Sequence, residues 1–448
     1  MSADGAAVRH RVVVVGGGFG GLFAARRLRR TAVDVTLVDR SANHVFQPML
    51  YQFATGVVPA ATIAPPHRSI FRRIKNVRVL LAEVVGFDLD RREVRARAPD
   101  GGELTLPYDS VIVAAGFRTS YFGHDEFAPY APGMKTIDEA ATVGRRIFGA
   151  FEVAETCENP EERRAWLTFA IVGAGPTGVE LAGQVRQAAA HTLRREFRTI
   201  DPSSARVLLF DGGEKPLATF GDHLSERATR ELEKMGVELH MGCLATAIDD
   251  QGLDVRTADG TVTRHEARTV VWTAGVSASP LGRMLAAASG APADRAGRVE
   301  VLPDCTLPGH PEVFVIGDLM SLNHLPGVAE VAMQSGLHAA RTIRYRLERR
   351  ETKPFHYVDM GSMAYIGRRH AVVDFRGLKL SGFLGWLMWL AIHLTFLTGF
   401  MNRFTALFNW LTALTGTRRV RVFDVSNVTP APGADVAHRA ATTRPRSL

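Results

Sequence analysis

The sequence predicts an α/β protein with two Rossmann-like dinucleotide-binding domains and a C-terminal amphipathic helical segment. Two copies of Gly-x-Gly-x-x-Gly predict the domains, since each copy lies between a short apolar run and a helical pattern. An uncharged apolar stretch at 383–401 predicts the C-terminal segment.

The first copy follows four valines at 12–15, which predict a buried strand. Its glycines, Gly16, Gly18 and Gly21, allow a tight turn, close approach of backbone N–H groups to a pyrophosphate, and close packing of helix on strand. A second predicted strand ends at Asp39, where a carboxylate can bind ribose hydroxyls. The alternative is a glycine-rich turn without a ligand, which the flanking strand, helix and acid disfavour.

The second copy consists of Gly173, Gly175 and Gly178, and the strand after its helix ends at Asp211. Two fingerprints indicate two dinucleotides in one chain or a duplicated half-domain. A carboxylate at the end of each second strand would repel a 2′-phosphate, so FAD or NAD is favoured over NADP.

Two further predicted strands end in small residues, Ala115-Gly116 and Ala274-Gly275, and small residues at a strand end would let a flat ligand lie against the backbone. A third predicted strand stops at Gly317-Asp318. A carboxylate at Asp318 would suit a polyhydroxyl chain. The alternatives are a buried strand that meets a turn and, for Asp318, a helix cap.

Composition limits the remaining possibilities. The chain has 448 residues, 46% of them apolar, and a formal charge of +8, which suits an anionic membrane surface or an acidic partner. The basic residues are scattered without a nucleic-acid module, so no nucleic acid is expected. Three separated cysteines, Cys157, Cys243 and Cys305, predict neither a metal site nor a dithiol. The first ten residues lack an apolar run, so no secretory signal is expected.

On a helix with 100° per residue, one face of 383–401 carries small and mildly polar residues, which suit packing on protein. The opposite face carries Trp386, Trp389, Phe396, Leu397 and Phe400. In 404–414, Phe404, Leu407, Phe408 and Leu411 share one side. With flanking Arg403, Arg418, Arg419 and Arg421, this pattern predicts helices that lie on anionic lipid. A core helix, a dimer interface or a membrane span are the alternatives.

The chain resembles the two-dinucleotide flavoprotein disulfide-reductase fold in six motifs: GGGFGG, VTLVDR, HVFQPMLYQ, GAGPTGVE, VVWTAGV and VFVIGD. More narrowly, it resembles type II NADH dehydrogenases, the single-subunit NADH:quinone oxidoreductases, in FQPMLYQ, LPGVAEVAMQ and the C-terminal segment. The resemblance covers roughly residues 9–422.

This resemblance implies FAD at the first fingerprint and NADH at the second. FAD contacts are expected at Gly16, Gly18, Phe19, Gly20, Gly21, Asp39 and Asp318. NADH contacts are expected at Gly173, Gly175, Thr177, Gly178 and Asp211. Other cofactor contacts are expected at Arg40, Gln47, Ala115, Gly116, Ala274, Gly275 and Gly317. Glu180 matches a family acid near the nicotinamide. Gln334 matches a glutamine of the quinone motif, and Glu330 stands where a second glutamine is usual.

The resemblance further implies a flavoenzyme on the cytoplasmic face of the cell membrane, peripheral and homodimeric, that passes electrons from NADH to menaquinone or ubiquinone without pumping protons. Glu180 and Glu330 are candidate proton sources for the quinol. A soluble-acceptor oxidoreductase (ferredoxin reductase or NADH oxidase type) is the main alternative, and a membrane-bound NADH sensor is another. A thiol-dependent reductase would need a cysteine pair.

The motifs and the family resemblance together predict five segments in the chain. The FAD domain is expected at 8–140 and 286–360, and the NAD domain at 141–285. The membrane-docking region is expected at 361–425, followed by a disordered tail at 426–448.

Overall fold

A computed structural model describes residues 9–415 and Phe423, with side chains described to residue 412 and at 423. The chain divides into two compact units. Unit 1 contains the described residues of Met1–Val45, Ala64–Arg118 and Val276–Met360. Unit 2 contains those of Phe46–Ile63, Thr119–Gly275 and Gly361–Leu448. The predicted Arg418, Arg419 and Arg421 flank and the predicted tail at 426–448 lie outside the described residues.

The strands, in chain order, are β1 (His10–Val15), β2 (Val33–Asp39), β3 (Val77–Leu81), β4 (Glu83–Asp88), β5 (Glu93–Arg97), β6 (Glu103–Pro107), β7 (Ser110–Val113), β8 (Phe117–Thr119), β9 (Thr168–Val172), β10 (Arg206–Asp211), β11 (Val237–Met241), β12 (Cys243–Ile248), β13 (Gly252–Thr257), β14 (Val262–Glu266), β15 (Thr269–Trp272), β16 (Val276–Ala278), β17 (Val299–Glu300), β18 (Thr306–Leu307), β19 (His310–Val315), β20 (Met320–Ser321), β21 (Ser362–Gly367), β22 (His370–Phe375) and β23 (Leu378–Ser381).

The helices are α1 (Phe19–Arg27), α2 (Leu50–Ala54), α3 (Ala60–Ile63), α4 (His67–Phe71), α5 (Ile137–Thr156), α6 (Pro160–Trp166), α7 (Pro176–Gln187), α8 (Asp222–Met235), α9 (Pro280–Ser289), α10 (Ala329–Leu347), α11 (Gly382–Phe396) and α12 (Phe400–Thr415).

Unit 1 is built on a six-stranded sheet in the order β18-β19-β7-β1-β2-β3. Strands β19, β7, β1, β2 and β3 are parallel, so their carboxyl ends meet at one edge of the sheet. The valines at 12–15 of β1 are all buried, as an unbroken apolar run in a parallel sheet requires. Helix α10 packs closely on α1, because a Cβ at Gly336 would lie 2.3 Å from Gly20 O.

Unit 2 contains a parallel sheet in the order β11-β10-β9-β15 and two antiparallel sheets, β12-β13-β14 and β21-β22-β23. Helix α5 begins with a capping box, in which Thr136 Oγ1 accepts from Glu139 N and Glu139 Oε2 accepts from Thr136 N. Helix α7, which follows the second glycine motif, ends at Gln187.

The C-terminal helices correct one expectation. The stretch 383–401 is not a single helix, since α11 ends at Phe396 and Gly399 adopts a φ of +97° before α12 begins. Trp386, Trp389 and Leu397, which were expected on a lipid-facing side, are buried. Gly385 allows α11 to approach β22, because a Cβ there would lie 2.5 Å from Ala371 O. The indole of Trp389, one turn later, is buried with it.

Apolar side chains that remain exposed on these two helices are Phe383, Leu384, Leu387, Phe400, Met401, Phe404, Phe408 and Leu411. In α12, Phe404, Phe408 and Leu411 are exposed, and these are three of the four apolar residues that the sequence places on one side of the helix. Within residues 9–415, no helix is both long enough and apolar enough to span a membrane.

Candidate functional sites

The first glycine turn connects β1 to α1 in unit 1. Gly16 has a φ of +97°, and a Cβ there would lie 2.4 Å from Ala114 O. A Cβ at Gly21 would lie 1.8 Å from Gly16 O, so only glycine fits at either position. A Cβ at Gly18 would meet no atom within 4 Å, which leaves this part of the turn open to a ligand. The turn therefore fits a pyrophosphate that approaches the backbone closely.

Asp39 lies at the end of β2, beside this turn. Its Oδ2 accepts from Gly17 N at 2.5 Å, and its Oδ1 accepts from Ser41 N at 2.6 Å. Each oxygen keeps a lone pair with which a ribose hydroxyl can bond. The carboxylate thus supports the turn and is suited to bind a sugar.

Other predicted residues of unit 1 have different surroundings. A Cβ at Gly116 would lie 3.9 Å from Asp318 Oδ2, so these two strand ends lie next to each other. Gly20 serves helix packing, since a Cβ there would lie 3.0 Å from Ile316 Cδ1. Phe19 packs edge-on against His44, and Arg40 is exposed.

Gln47 belongs to unit 2, where its amide donates to Lys135 O at 3.2 Å. Ala115 is half-buried, and Gly317 N donates to Ser335 Oγ at 3.1 Å. These positions have no feature of their own that identifies a cofactor contact.

The second glycine turn, in unit 2, repeats the first. Gly173 has a φ of +109°, and a Cβ there would lie 2.5 Å from Ala274 N. A Cβ at Gly178 would lie 1.8 Å from Gly173 O, whereas a Cβ at Gly175 would meet nothing within 4 Å. Thr177 is half-buried in the first turn of α7, and Gly275 lies close to Ser120 O. The same open position therefore occurs in both turns.

Asp211 repeats the role of Asp39. Its Oδ2 accepts from Ala174 N at 2.6 Å, and its Oδ1 accepts from Gly213 N at 2.7 Å. In each turn, one carboxylate oxygen accepts from the backbone N–H of the residue after the first glycine, which is Gly17 or Ala174. The other oxygen accepts from the backbone N–H two residues after the aspartate, at Ser41 or Gly213. The duplication that the sequence indicated thus extends to individual hydrogen bonds.

Glu180 lies on α7, just after the second glycine turn, and is only 7% exposed. Its Oε1 accepts from Tyr365 N at 3.1 Å. Burial raises the pKa of this carboxyl well above its usual range, because the charged form loses its hydration. Its burial thus favours the protonated form of Glu180.

Buried aromatic and amide groups of unit 2 surround this carboxyl. The pKa of Tyr51 is raised mainly by the burial of this phenol and secondly by Glu180 when that carboxyl is ionised. The Tyr51 ring lies 6.3 Å from that of Tyr365. Gln52 Nε2 donates to Tyr51 Oη at 3.1 Å, and Gln52 Oε1 accepts from Trp410 Nε1 at 2.7 Å. This polar chain connects the surroundings of Glu180 to α12. It was missed from sequence because its members come from distant segments.

Glu330 and Gln334 lie on the first turns of α10 in unit 1. Gln334 pairs with the backbone of Val358: its Nε2 donates to Val358 O at 2.9 Å, and its Oε1 accepts from Val358 N at 3.0 Å. Tyr357 Oη lies 3.4 Å from both Glu330 Oε2 and Asp359 Oδ1. Burial, with Asp359 as a second cause, raises the pKa of Glu330.

Two histidines that sequence reasoning did not single out contact the first turn. His44 Nδ1 and His67 Nε2 each lie 3.0 Å from Gly17 O. His44 is within the quoted HVFQPMLYQ motif, but His67 is 50 residues from Gly17 and gave no signal. The cysteines Cys157, Cys243 and Cys305 are free, and among the described residues no cluster of metal-ligating side chains occurs.

Comparisons with known proteins give consistent results. The family model described as pyridine nucleotide-disulphide oxidoreductase matches residues 10–336, and the one described as NDH2 C-terminal domain matches residues 360–418. Two Mycobacterium tuberculosis proteins, type II NADH:quinone oxidoreductases Ndh and NdhA, are 48% and 50% identical to this chain. Each alignment covers 92% of this chain, with 89% of Ndh and 88% of NdhA.

Among solved structures, NDH2 from Plasmodium falciparum in complex with NADH is similar, with a TM-score of 0.83. The match covers 92% of this chain and 100% of that chain. Since the two sequences are 16% identical, this likeness concerns the fold.

Proposed function

We propose that this chain, which belongs to the type II NADH:quinone oxidoreductases, transfers hydride from NADH to FAD and then two electrons to a quinone, without pumping protons. The observation that carries the proposal is the repeated turn, in which Gly18 and Gly175 are open and Asp39 and Asp211 bind the backbone alike. Two such turns provide for one dinucleotide each.

The residues of unit 1 fit FAD. The open position at Gly18 suits the pyrophosphate, and Asp39 is suited to bind the adenosine ribose. Asp318, which lies beside Gly116, is suited to bind the polyhydroxyl chain. When bound, the flavin supplies the hydride-accepting and electron-donating chemistry. The proposed FAD domain comprises 8–140 and 286–360, and the proposed NAD domain comprises 141–285.

The residues of unit 2 fit NADH. Gly175 leaves room for the pyrophosphate and Asp211 can accept from a free ribose 2′-hydroxyl. A 2′-phosphate would meet the negative charge of Asp211, which favours NADH over NADPH.

The protons of the quinol are proposed to come through two carboxyl groups. Burial favours the protonated form of Glu180, and burial with the nearby Asp359 also raises the pKa of Glu330 beside Tyr357. Gln334 fixes the segment at Val358 and thereby shapes the quinone pocket. The acceptor is menaquinone or ubiquinone, whose carbonyl oxygens need such donors.

The apolar faces of α11 and α12 support peripheral attachment to a membrane. Phe400 and Met401 are each 71% exposed, next to the exposed Phe404 and Phe408. Such residues on short helices suit insertion into the lipid interface, and the formal charge of +8 favours anionic lipid. We place the attachment on the cytoplasmic face of the cell membrane, with a homodimer formed through the same C-terminal region.

The test is NADH oxidation by the purified, flavin-loaded protein, with a short-chain quinone added or withheld. We expect fast turnover that requires the quinone. Reduction of the flavin by NADH without quinone turnover would instead indicate a soluble acceptor or a sensor.

Two matched variants separate the sites. Neither Gly18 nor Gly175 has φ above zero, and a Cβ added at either would meet no protein atom within 4 Å. Gly18→Val should therefore fold but fail to retain FAD. Gly175→Val should stay yellow but fail to be reduced by NADH. Retention of both ligands by both variants would contradict the assignment.

A further inference from the structure

The carbonyl of Gly17 is contacted by two buried imidazoles. His44 Nδ1 and His67 Nε2 each lie 3.0 Å from Gly17 O, and both side chains are at most 1% exposed. A carbonyl only accepts, so each imidazole must present an N–H to it. Two donors occupy both lone pairs of this oxygen and fix the orientation of the peptide.

The orientation of this carbonyl determines that of the next N–H. In a trans peptide, the Gly17 carbonyl and the Gly18 N–H belong to one plane and point in opposite directions. The histidines hold the carbonyl on their side, so the Gly18 N–H points away from them. Gly18 borders open space, and its N–H is thus available to an anion.

Gly17 is one of the two glycines of GGGFGG that the fingerprint does not require; the other is Gly20. A Cβ at Gly17 would lie 2.3 Å from His67 Nε2 and 2.4 Å from His67 Cε1. A side chain at Gly17 would therefore force the buried His67 ring to move. The histidine contact therefore explains the extra glycine.

The second turn holds the equivalent peptide differently. Ala174, which corresponds to Gly17, has a carbonyl that accepts from the backbone Leu217 N at 2.9 Å. One backbone donor thus replaces two side-chain donors.

The second ring nitrogen of each histidine also has a defined environment. His44 Nε2 and His67 Nδ1 are buried without a hydrogen-bond partner among the described residues. Burial lowers the pKa of His44 to about 4, so this imidazole is neutral at physiological pH. A neutral ring with its proton on Nδ1 is the form that can donate to Gly17.

We propose that His44 and His67 are positioning residues for FAD: together they orient the Gly17–Gly18 peptide so that the Gly18 N–H binds the FAD pyrophosphate, and they thereby slow FAD release. This inference rests on the proposed assignment of FAD to the first turn. Hydrogen bonds to the carbonyl also polarise the peptide and strengthen its N–H as a donor. NADH binding, which uses the turn held by Leu217, does not depend on the pair.

The test uses two matched pairs of variants of the full-length holoenzyme. Asparagine places a donor where His44 Nδ1 is, and glutamine places one where His67 Nε2 is. His44→Asn and His67→Gln therefore keep the donor, whereas the similarly sized His44→Leu and His67→Met remove it. His338→Met, at another buried histidine of unit 1, is the control for a general loss of packing.

The first measurement is the rate of FAD release from each holoenzyme, followed by flavin fluorescence after dilution. We expect release about tenfold faster in each donor-removing variant, the effect of one hydrogen bond. In the donor-retaining variants and in His338→Met, the rate of FAD release should stay within about threefold of the wild-type rate, because the effect is specific to the lost hydrogen bond. The KM for NADH of the FAD-saturated variants should not change.

The second measurement is the ³¹P resonance positions of bound FAD, which report the hydrogen bonds of the pyrophosphate. They should move towards those of free FAD in His44→Leu and His67→Met only. Equal release rates and resonances in all variants would overturn the histidine proposal, as would equal losses in donor-retaining and donor-removing variants. A wild-type protein that does not bind FAD at all would instead overturn the proposed function. Where one donor-removing variant does not fold, the other pair decides.

Discussion

Glu180 accepts a hydrogen bond from the backbone amide of Tyr365, 3.1 Å away, in a buried part of unit 2. The acid comes from the helix that follows the second glycine turn, and the amide from the sheet that packs on α11. One carboxyl thus lies between the proposed NADH turn and the helices proposed to meet the membrane. Because Glu180 is buried, its ionisation should lower the stability of the folded protein as pH rises.

Glu180→Gln should stabilise the protein at high pH. The pKa of Glu180 is raised in the folded state, so on raising the pH the unfolded state loses this proton first. Stability due to Glu180 is therefore full below the unfolded pKa of about 4.3 and is lost as pH rises towards the folded pKa. Glutamine cannot ionise and retains an oxygen for Tyr365 N. Its Tm relative to the wild type should therefore rise with pH.

The measurement is thermal unfolding of both flavin-loaded proteins between pH 4 and pH 9. A Tm difference that is the same at all pH values would show that Glu180 is ionised in the fold or that its burial costs nothing. In the same samples, the proposed proton role predicts slower quinone reduction by at least about tenfold in Glu180→Gln. Reduction of the flavin by NADH should be unaffected.

Trp410→Phe should destabilise the protein. The indole N–H of Trp410 donates to Gln52 Oε1 at 2.7 Å, and both side chains are buried. Phenylalanine leaves this oxygen without its partner, at a cost of about 1–3 kcal/mol in the free energy of unfolding. Trp386→Phe, which shortens another buried indole of unit 2, is the packing control. Equal losses of stability in urea unfolding would mean that the hydrogen bond adds nothing beyond packing.

The two glycine turns and their aspartates were predictable from sequence because the relevant contacts are local or repeat a known spacing. Asp39 and Asp211 each lie at the end of the strand next to the turn they support. The histidine pair was not predictable, since His67 reaches Gly17 only through the fold. No local pattern distinguishes such a histidine from any other buried one.

The C-terminal helices were only partly predictable. The sequence identified apolar residues of α12 that remain exposed, but a helical projection through 383–401 assumed that the helix continues past Phe396. Gly399 interrupts it, and the close approach of Gly385 to Ala371 places Trp389 on the protein side. Hydrophobicity alone cannot distinguish an aromatic face buried by a neighbouring sheet from one that meets lipid.

Asp211→Asn should relax the preference for NADH. The asparagine keeps an oxygen acceptor near Ala174 N and removes the charge that would repel a 2′-phosphate. We expect the ratio of kcat/KM for NADPH to that for NADH to rise by about tenfold or more. Asp39→Asn is the matched control in the first turn and should leave this ratio unchanged. An equal change in the two variants would assign the effect to general loss of structure.

Phe404→Ser with Phe408→Ser should release the protein from membranes. Both rings are more than half exposed, and each is worth roughly 1.5–3 kcal/mol if lipid buries it. Partitioning into phosphatidylglycerol-containing vesicles should therefore fall by at least about a hundredfold. Phe122→Ser removes an equally exposed ring outside the two helices and should have no such effect. A change of oligomeric state without a change in partitioning would make this face a dimer interface instead.

Glu330→Gln should change the pH dependence of quinone binding. Burial and Asp359 raise the pKa of Glu330, so the wild-type carboxyl can donate a hydrogen bond at low pH and loses this proton as pH rises. An amide donates at every pH. The ratio of the variant's KM for a short-chain quinone to that of the wild type should therefore fall as pH rises and Glu330 ionises, to about one tenth at pH 9. Glu348→Gln, at an exposed acid just after the same helix, is the control. A ratio of KM values that does not vary with pH would show that Glu330 does not bind the quinone through its proton, and Gln334 would then remain as the proposed contact on α10.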